Sequence, residues 1–260
     1  MSSLTHFEFT TSPLLTMNPN DISSFTEEEE TKVSVEKTQQ INEIQLKYLD
    51  LIYKIIEKDK HFISNTVREY ARNYGDGKTK KGNKGGPLDN FFERLIKLLL
   101  MRNQKLLEFT FESFNEFVVP DIVEVLNDCV LCIDAKTNNG DGDKHKNKIH
   151  LGANQSNLGS LTWDSFVSKQ NPQEKWGDFK GDIVPFYKEK PTITFIIKLL
   201  YSNEGNTINC DNMNLQIFLI PHRNTFDLYK KNIKRGGNKS SEEQRLEIND
   251  NNLKRSIDLH

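Results

Sequence analysis

Two strand-like runs share residues 118–137, VVPDIVEVLNDCVLCIDAKT, and the charges inside them leave few ways to fold. DIVEVL (121–126) and CVLCIDAK (129–136) are rich in aliphatic and β-branched residues, and Asn127-Asp128 between them is a two-residue hairpin signal. On that turn Leu126 faces Cys129, and the same register sets Asp121 directly opposite Asp134. Opposed residues share a face, with Cβ atoms about 4.5–5.5 Å apart. Lys136 lies two residues beyond Asp134 and points the same way, whereas Glu124 has the other parity and faces away. The hairpin is therefore expected to gather two carboxylates and an ammonium at one end. Carboxylates this close repel unless one is protonated or a cation lies between them. Oxygen ligands at a strand end suit a hard ion, Mg²⁺, which keeps several waters and binds substrate phosphate. Lys136 could there orient or deprotonate a water, or neutralise a phosphate. An Asp-x-Lys by itself reads as a salt bridge at a sheet rim; the second Asp opposite favours a site.

The rest of the chain supplies a frame for such a hairpin. Residues 1–37, rich in Ser, Thr and Glu, read as a poorly ordered or loosely docked arm, and 38–260 as a single domain with a helical part at 38–87. Ile41, Ile44, Tyr48, Leu51, Ile52 and Ile55 recur at helical spacing over 38–58, and a second helix is expected over 61–74. A Gly- and Lys-rich loop (75–87) ends at Pro87, and Asp89 is placed to cap a third helix over 90–104. EFTFESF (108–114), TITFIIKLLY (192–201), LQIFLIP (215–221) and QRLEI (244–248) read as strands. A polar loop over 138–148, a helix near 157–168 and a loop with Trp176 and Pro185 lie between the hairpin and the later strands. The pattern predicts an α/β or α+β fold: a mixed central sheet flanked by helices, with helices preceding it.

Charge is distributed unevenly although the net value is only −2. Residues 1–50 carry nine acids against Lys32, Lys37 and Lys47; residues 68–105 carry ten Lys and Arg against Glu69, Asp76, Asp89 and Glu93. Within the basic stretch, KTKKGNKGG places Lys80, Lys81 and Lys84 where they could meet phosphate, or simply be solvated. Cys129, Cys132 and Cys210 are too few for a disulfide framework and fit a reducing cytosol, so a cytoplasmic location is expected. No apolar run approaches the roughly 18 residues of a membrane span, and the first residues lack the pattern of a secretory signal.

Pro120-Asp121, a gap of twelve residues, then Asp134-Ala135-Lys136, resembles the PD-(D/E)XK motif of type II restriction endonucleases and related nucleases. The resemblance covers about 85–221, with the order helix, hairpin, helix, strand, and departs in using Asp where Glu is commoner. It implies a restriction-endonuclease-like fold and Mg²⁺-dependent, sequence-specific hydrolysis of double-stranded DNA. It also implies that Asp121, Asp134 and the carbonyl of Ala135 bind the metal, and that Lys136 assists the attacking water. A preceding helix often adds an acid, and Glu93 in PLDNFFERLIKLLL is similar to that element as an outer or second-metal ligand; alone it reads as a solvated helix acid. Cutting both strands of a palindrome calls for two sites related by a two-fold axis, so a homodimer is expected.

Other signals are weaker. Cys129-Val-Leu-Cys132 has zinc-like spacing, but on a strand its sulfurs point to opposite faces. His145 and His150 hint at an HNH nuclease without the compact unit that fold needs. KIHLGANQSNL carries His150, Asn154, Gln155 and Asn157, suited to base edges or phosphate, or to a polar turn capping a helix. Arg223, Lys231, Lys234 and Arg235 follow a strong strand and could clamp phosphates or form a plain solvated surface. The rival readings are a repair or recombination nuclease of the same superfamily, such as a junction resolvase or mismatch nickase, and a non-catalytic DNA-binding protein.

Overall fold

The isoleucine repeat lies on helix α1 (Glu27–Lys58), which starts ahead of the expected position near 38. It buries Tyr48, Leu49, Ile52, Ile55 and Ile56, a stripe at three- and four-residue spacing. The computed structural model describes residues 27–74, 87–107, 121–139, 147–151, 186–187, 189–204, 207–222, 234–235, 244–248 and 251–259. The chain divides into two compact units, Met1–Gln39 and Gln40–His260. Of the first, the described part is the opening of α1, so most of the expected arm lies outside the described residues.

Helix α2 (Lys60–Tyr74) buries Ile63, Val67 and Ala71, again one face. Helix α3 (Pro87–Arg102) begins at the proline that the sequence placed at the end of a loop. A missing N–H and a preset φ cost nothing at a first helical position. Asp89 consequently lies inside the first turn instead of capping it. After Asn103, whose side chain donates to the Leu99 carbonyl at 2.8 Å, a short α4 (Gln104–Leu107) follows. The expected strand at 108–114 and helix at 157–168 lie outside the described residues.

The hairpin forms as β1 (Ile122–Val125) and β2 (Val130–Asn139). Ile122 pairs with Ile133 and Val125 with Val130, and the Leu126 N–H donates to Cys129 O at 2.8 Å. This is the register of a two-residue loop at Asn127-Asp128. β2 then pairs in parallel with β5 (Lys190–Glu204), which pairs antiparallel with β6 (Thr207–Ile220), which pairs antiparallel with β9 (Lys254–Asp258). A two-residue β4 (Phe186–Tyr187) joins β5, making a mixed sheet of six strands among the described residues. β3 (Lys148–Leu151), β7 (Lys234–Arg235) and β8 (Gln244–Glu247) form a second, antiparallel sheet in the order β3-β8-β7.

One face of the main sheet, with Leu131, Ile133, Ile193, Phe195, Ile197, Leu215 and Ile217, packs in a single core with the helices. Cys129 belongs to that core and Cys132 to a separate cluster with Val125 and Val130, so the two thiols do face opposite ways. Burial pushes both thiols up. The hairpin turn is tied to α1: Tyr48 Oη donates to Asp128 Oδ1 at 2.6 Å and Lys47 Nζ lies 2.8 Å from Oδ2. Tyr48→Phe, which removes one hydrogen bond to a charged acceptor, should lower stability by about 1–2 kcal/mol in thermal unfolding. A melting temperature equal to the parent's would show that Tyr48 does not anchor the turn.

Candidate active site

β1 stops pairing at Ile122, whereas β2 runs on to Asn139, so Asp134, Ala135 and Lys136 have lost β1 as a neighbour. The Ala135 N–H turns toward the vacated edge and donates to Asp121 Oδ2 at 2.7 Å. Because a residue's N–H and C=O point to the same side of a strand, the Ala135 carbonyl faces that edge too. The Asp121–Asp134 juxtaposition expected from the two-residue turn is thus built by the chain. Lys136 Nζ lies 3.0 Å from Asp134 Oδ2, with Asp134 nearly buried and Lys136 partly exposed. Glu124 faces the other way and feels Lys97 of α3.

Asp89, Asn90 and Glu93 of α3 close one wall of a cleft of about 310 Å³, with Asp121, Asp134 and Lys136 among the residues opposite. Thr137 Oγ1 donates to Asp89, pinning the start of the helix to β2. Burial, and after it the neighbouring charge of Asp134, pushes the Asp121 carboxyl up to about 6; the Ala135 N–H opposes this and Glu93 adds to it. Negative charge at this edge is therefore only partly compensated. Two carboxylates and a backbone carbonyl make an all-oxygen donor set that fits a hard divalent cation better than a soft one. Glu93 lines the cleft, yet among the described residues no group of three or more His, Cys, Asp or Glu is gathered closely enough to hold an ion.

Solved structures of restriction endonucleases share this architecture. The restriction endonuclease BglI, bound to its DNA recognition sequence, superposes with a TM-score of 0.62 at 17% identity, over 89% of this chain and 95% of that one. The tetrameric restriction endonuclease SfiI, bound to cognate DNA, gives 0.52 at 12% identity, over 85% of each chain. The chain has the restriction-endonuclease-like fold. No family model matches the sequence, and no curated protein does.

Within that fold, the other residues singled out from sequence fall in different places. Lys80, Lys81, Lys84, Asn154, Gln155, Asn157, Arg223 and Lys231 lie outside the described residues. His150 is on β3, not in a turn, and Lys234 and Arg235 form β7. The second sheet brings these distant segments together: His150 and Lys234 both pair with Arg245 of β8, and Arg235 pairs with Gln244. Arg245 lies on β8, within the strand expected over 244–248, and was not among the residues singled out from sequence. Sequence reasoning also missed Asp89 and Asn90 as cleft residues, although they precede Glu93 by about one helical turn, a spacing that marks a common face. Lys198 was missed as well. It is 2% exposed, pairs with Lys136 across β2 and β5, and donates to the Lys148 carbonyl of β3 at 2.7 Å. It thereby ties the second sheet to the main one.

Among the described residues no helix is long and apolar enough to cross a membrane.

Proposed function

We propose that the chain is a Mg²⁺-dependent endonuclease that cuts double-stranded DNA at a specific sequence, in the manner of a type II restriction enzyme. One observation carries the reading: Asp121 and Asp134 meet across an open strand edge, with Lys136 on the same face, inside a cleft on a restriction-endonuclease-like fold. In this reading Asp121, Asp134 and the Ala135 carbonyl hold the ion, which when bound offsets charge on the phosphate and acidifies water. Lys136, held beside Asp134, orients the attacking water and keeps a positive charge next to the phosphate undergoing hydrolysis. Asp89, through Thr137, positions α3 against the catalytic strand, and Glu93, on the cleft wall, would serve as an outer or second-metal ligand.

The second sheet, with His150, Lys234, Arg235 and Arg245 on adjacent strands, is the surface that we assign to DNA contact. From sequence, Lys80, Lys81, Lys84, Arg223 and Lys231 are the further phosphate contacts of this reading, and Asn154, Gln155 and Asn157 its readers of base edges. The solved structures of BglI and SfiI, both bound to DNA, support this partner. A homodimer supplies the two sites that a double-strand cut needs.

Digestion of a plasmid of known sequence with Mg²⁺, followed by sequencing of fragment ends, tests the proposal. The expected result is discrete fragments sharing one short sequence at their ends, and none when a chelator removes the ion. Nicked circles alone would favour a nickase of the same superfamily. Intact plasmid under all conditions would leave a binding protein.

A further inference from the structure

A second cavity, of about 280 Å³, lies between α2 and the first half of β6, away from the carboxylate cleft. Arg68, Arg72, Asn209, Cys210 and Asp211 are among its lining residues. It falls just below the roughly 300–1,000 Å³ of typical small-molecule sites, which favours a small group over a metabolite. Arg68 and Arg72 stand one turn apart on the same helix face. Arg68 Nε is buried and has no hydrogen-bond partner among the described residues. Its Nη2 reaches the carbonyls of Cys210 and Leu259 only at 3.5 Å, beyond the usual 2.7–3.2 Å range for such bonds. A guanidinium does not lose its charge in a protein, so these donors remain under-used. Arg72 is exposed at the mouth. Two guanidinium groups against the one carboxylate of Asp211 leave the lining net positive, because burial keeps the Cys210 thiol neutral.

The position relative to the cleft follows from strand register. Lys136 pairs with Lys198, Ser202 pairs with Asn209, and β2 and β5 run parallel, so both sites lie toward one end of the sheet. β6 is two strands from β2, and Asn209 sits four residues further along β5 than Lys136. With strands about 4.8 Å apart and a rise of about 3.3 Å, the two Cα positions are roughly 16 Å apart. A duplex covers that distance in about five base-pair steps of 3.4 Å. We propose that Arg68 and Arg72 form a phosphate subsite, which holds a backbone phosphate of the bound duplex several nucleotides from the bond that is cut. The inference rests on the nuclease reading and adds a contact that neither the hairpin nor the second sheet supplies.

Arg72 is the residue to test, since an exposed side chain can change without loss of the fold. Binding of the full chain to a duplex that it cuts, and to a scrambled one, is titrated at several salt concentrations with chelator present, so that the DNA stays intact. Arg72→Gln should weaken binding to both duplexes several-fold and flatten the slope of log affinity against log salt by about 0.9, the value for one phosphate contact. Arg102→Gln, which removes the same charge from the exposed far end of α3, should leave the slope unchanged. A parent that binds and cuts DNA, with Arg72→Gln indistinguishable from it or no different from Arg102→Gln, overturns this subsite and leaves the nuclease reading standing. A parent that binds no duplex even at low salt overturns both. Inorganic phosphate serves as the control ligand. If it raises the parent's melting temperature but not that of Arg72→Gln, while DNA binding is identical, the cavity takes free anions and the duplex assignment fails.

Discussion

Asp134→Asn is expected to lower cleavage by about 10³-fold or more, equivalent to about 4 kcal/mol of transition-state stabilisation, with the fold intact. The substitution keeps the size of the side chain and removes one of the two charges at the open edge of β2. It also removes the ionic partner of Lys136, 3.0 Å away. Lys136→Met should fall by a comparable factor while leaving affinity for a cuttable duplex nearly unchanged, because the ammonium is asked to act on the reacting water. Single-turnover cleavage, with circular dichroism as a check of folding, separates these effects. A folded Asp134→Asn protein that turns over near the parent's rate would remove the hairpin from the mechanism.

Asp121→Asn should abolish cleavage to a similar degree and yet make the metal-free protein more stable near neutral pH. Burial and the charge of Asp134 raise the Asp121 carboxyl to about 6, above its ordinary value of 3.8. Between those two values the folded state holds more protons than the unfolded state, so this group's contribution to stability falls as the pH rises from about 4 to about 6. At pH 7 the ionised carboxylate therefore works against folding. Because the group is partly open to solvent, which screens the interaction, the gain on neutralising it is on the order of 1 kcal/mol. The same reasoning sets the response to metal. Millimolar Mg²⁺ should raise the parent's melting temperature at pH 7 and have a much smaller effect on Asp121→Asn or Asp134→Asn, since a ligand stabilises only the state that binds it. Melting curves at pH 5 and 7, with and without the ion, check both parts. If Asp121→Asn proves less stable than the parent at pH 7, its carboxylate is a structural anchor for Ala135 and not a strained ligand.

These two residues also mark how far sequence can be read. Two adjacent strands with a two-residue turn admit one register, and strand parity then decides which side chains share a face. Asp121, Asp134 and Lys136 could be placed together from local information alone, and the observed pairing of Ile122 with Ile133 has that register. The three main helices were legible for the same reason: their buried residues recur at a period that depends only on the helix itself. The start of α3 was misjudged because Pro87 suits both a loop end and a first helical position.

What needed the tertiary structure is non-local. The parallel pairing of β2 with β5 joins segments separated by a long crossover, and no local pattern states which strands become neighbours. β9, KRSID, escaped notice because an edge strand buries little; within it only Ile257 is buried. Of the three short runs that build the second sheet, 244–247 is legible as a strand from sequence, whereas 148–151 and 234–235 are too short and polar to stand out, and nothing local states that the three pair. Asp89 and Asn90 became cleft residues only when α3 docked against β2, and Lys198 became a buried link only when β3 settled over it. Sequence by itself therefore determined the chemistry of one hairpin, because neighbours along the chain fix a hairpin's geometry. The cleft wall, the second sheet and the arginine cavity were decided by packing between distant segments, where burial and hydrogen-bond satisfaction choose the partners.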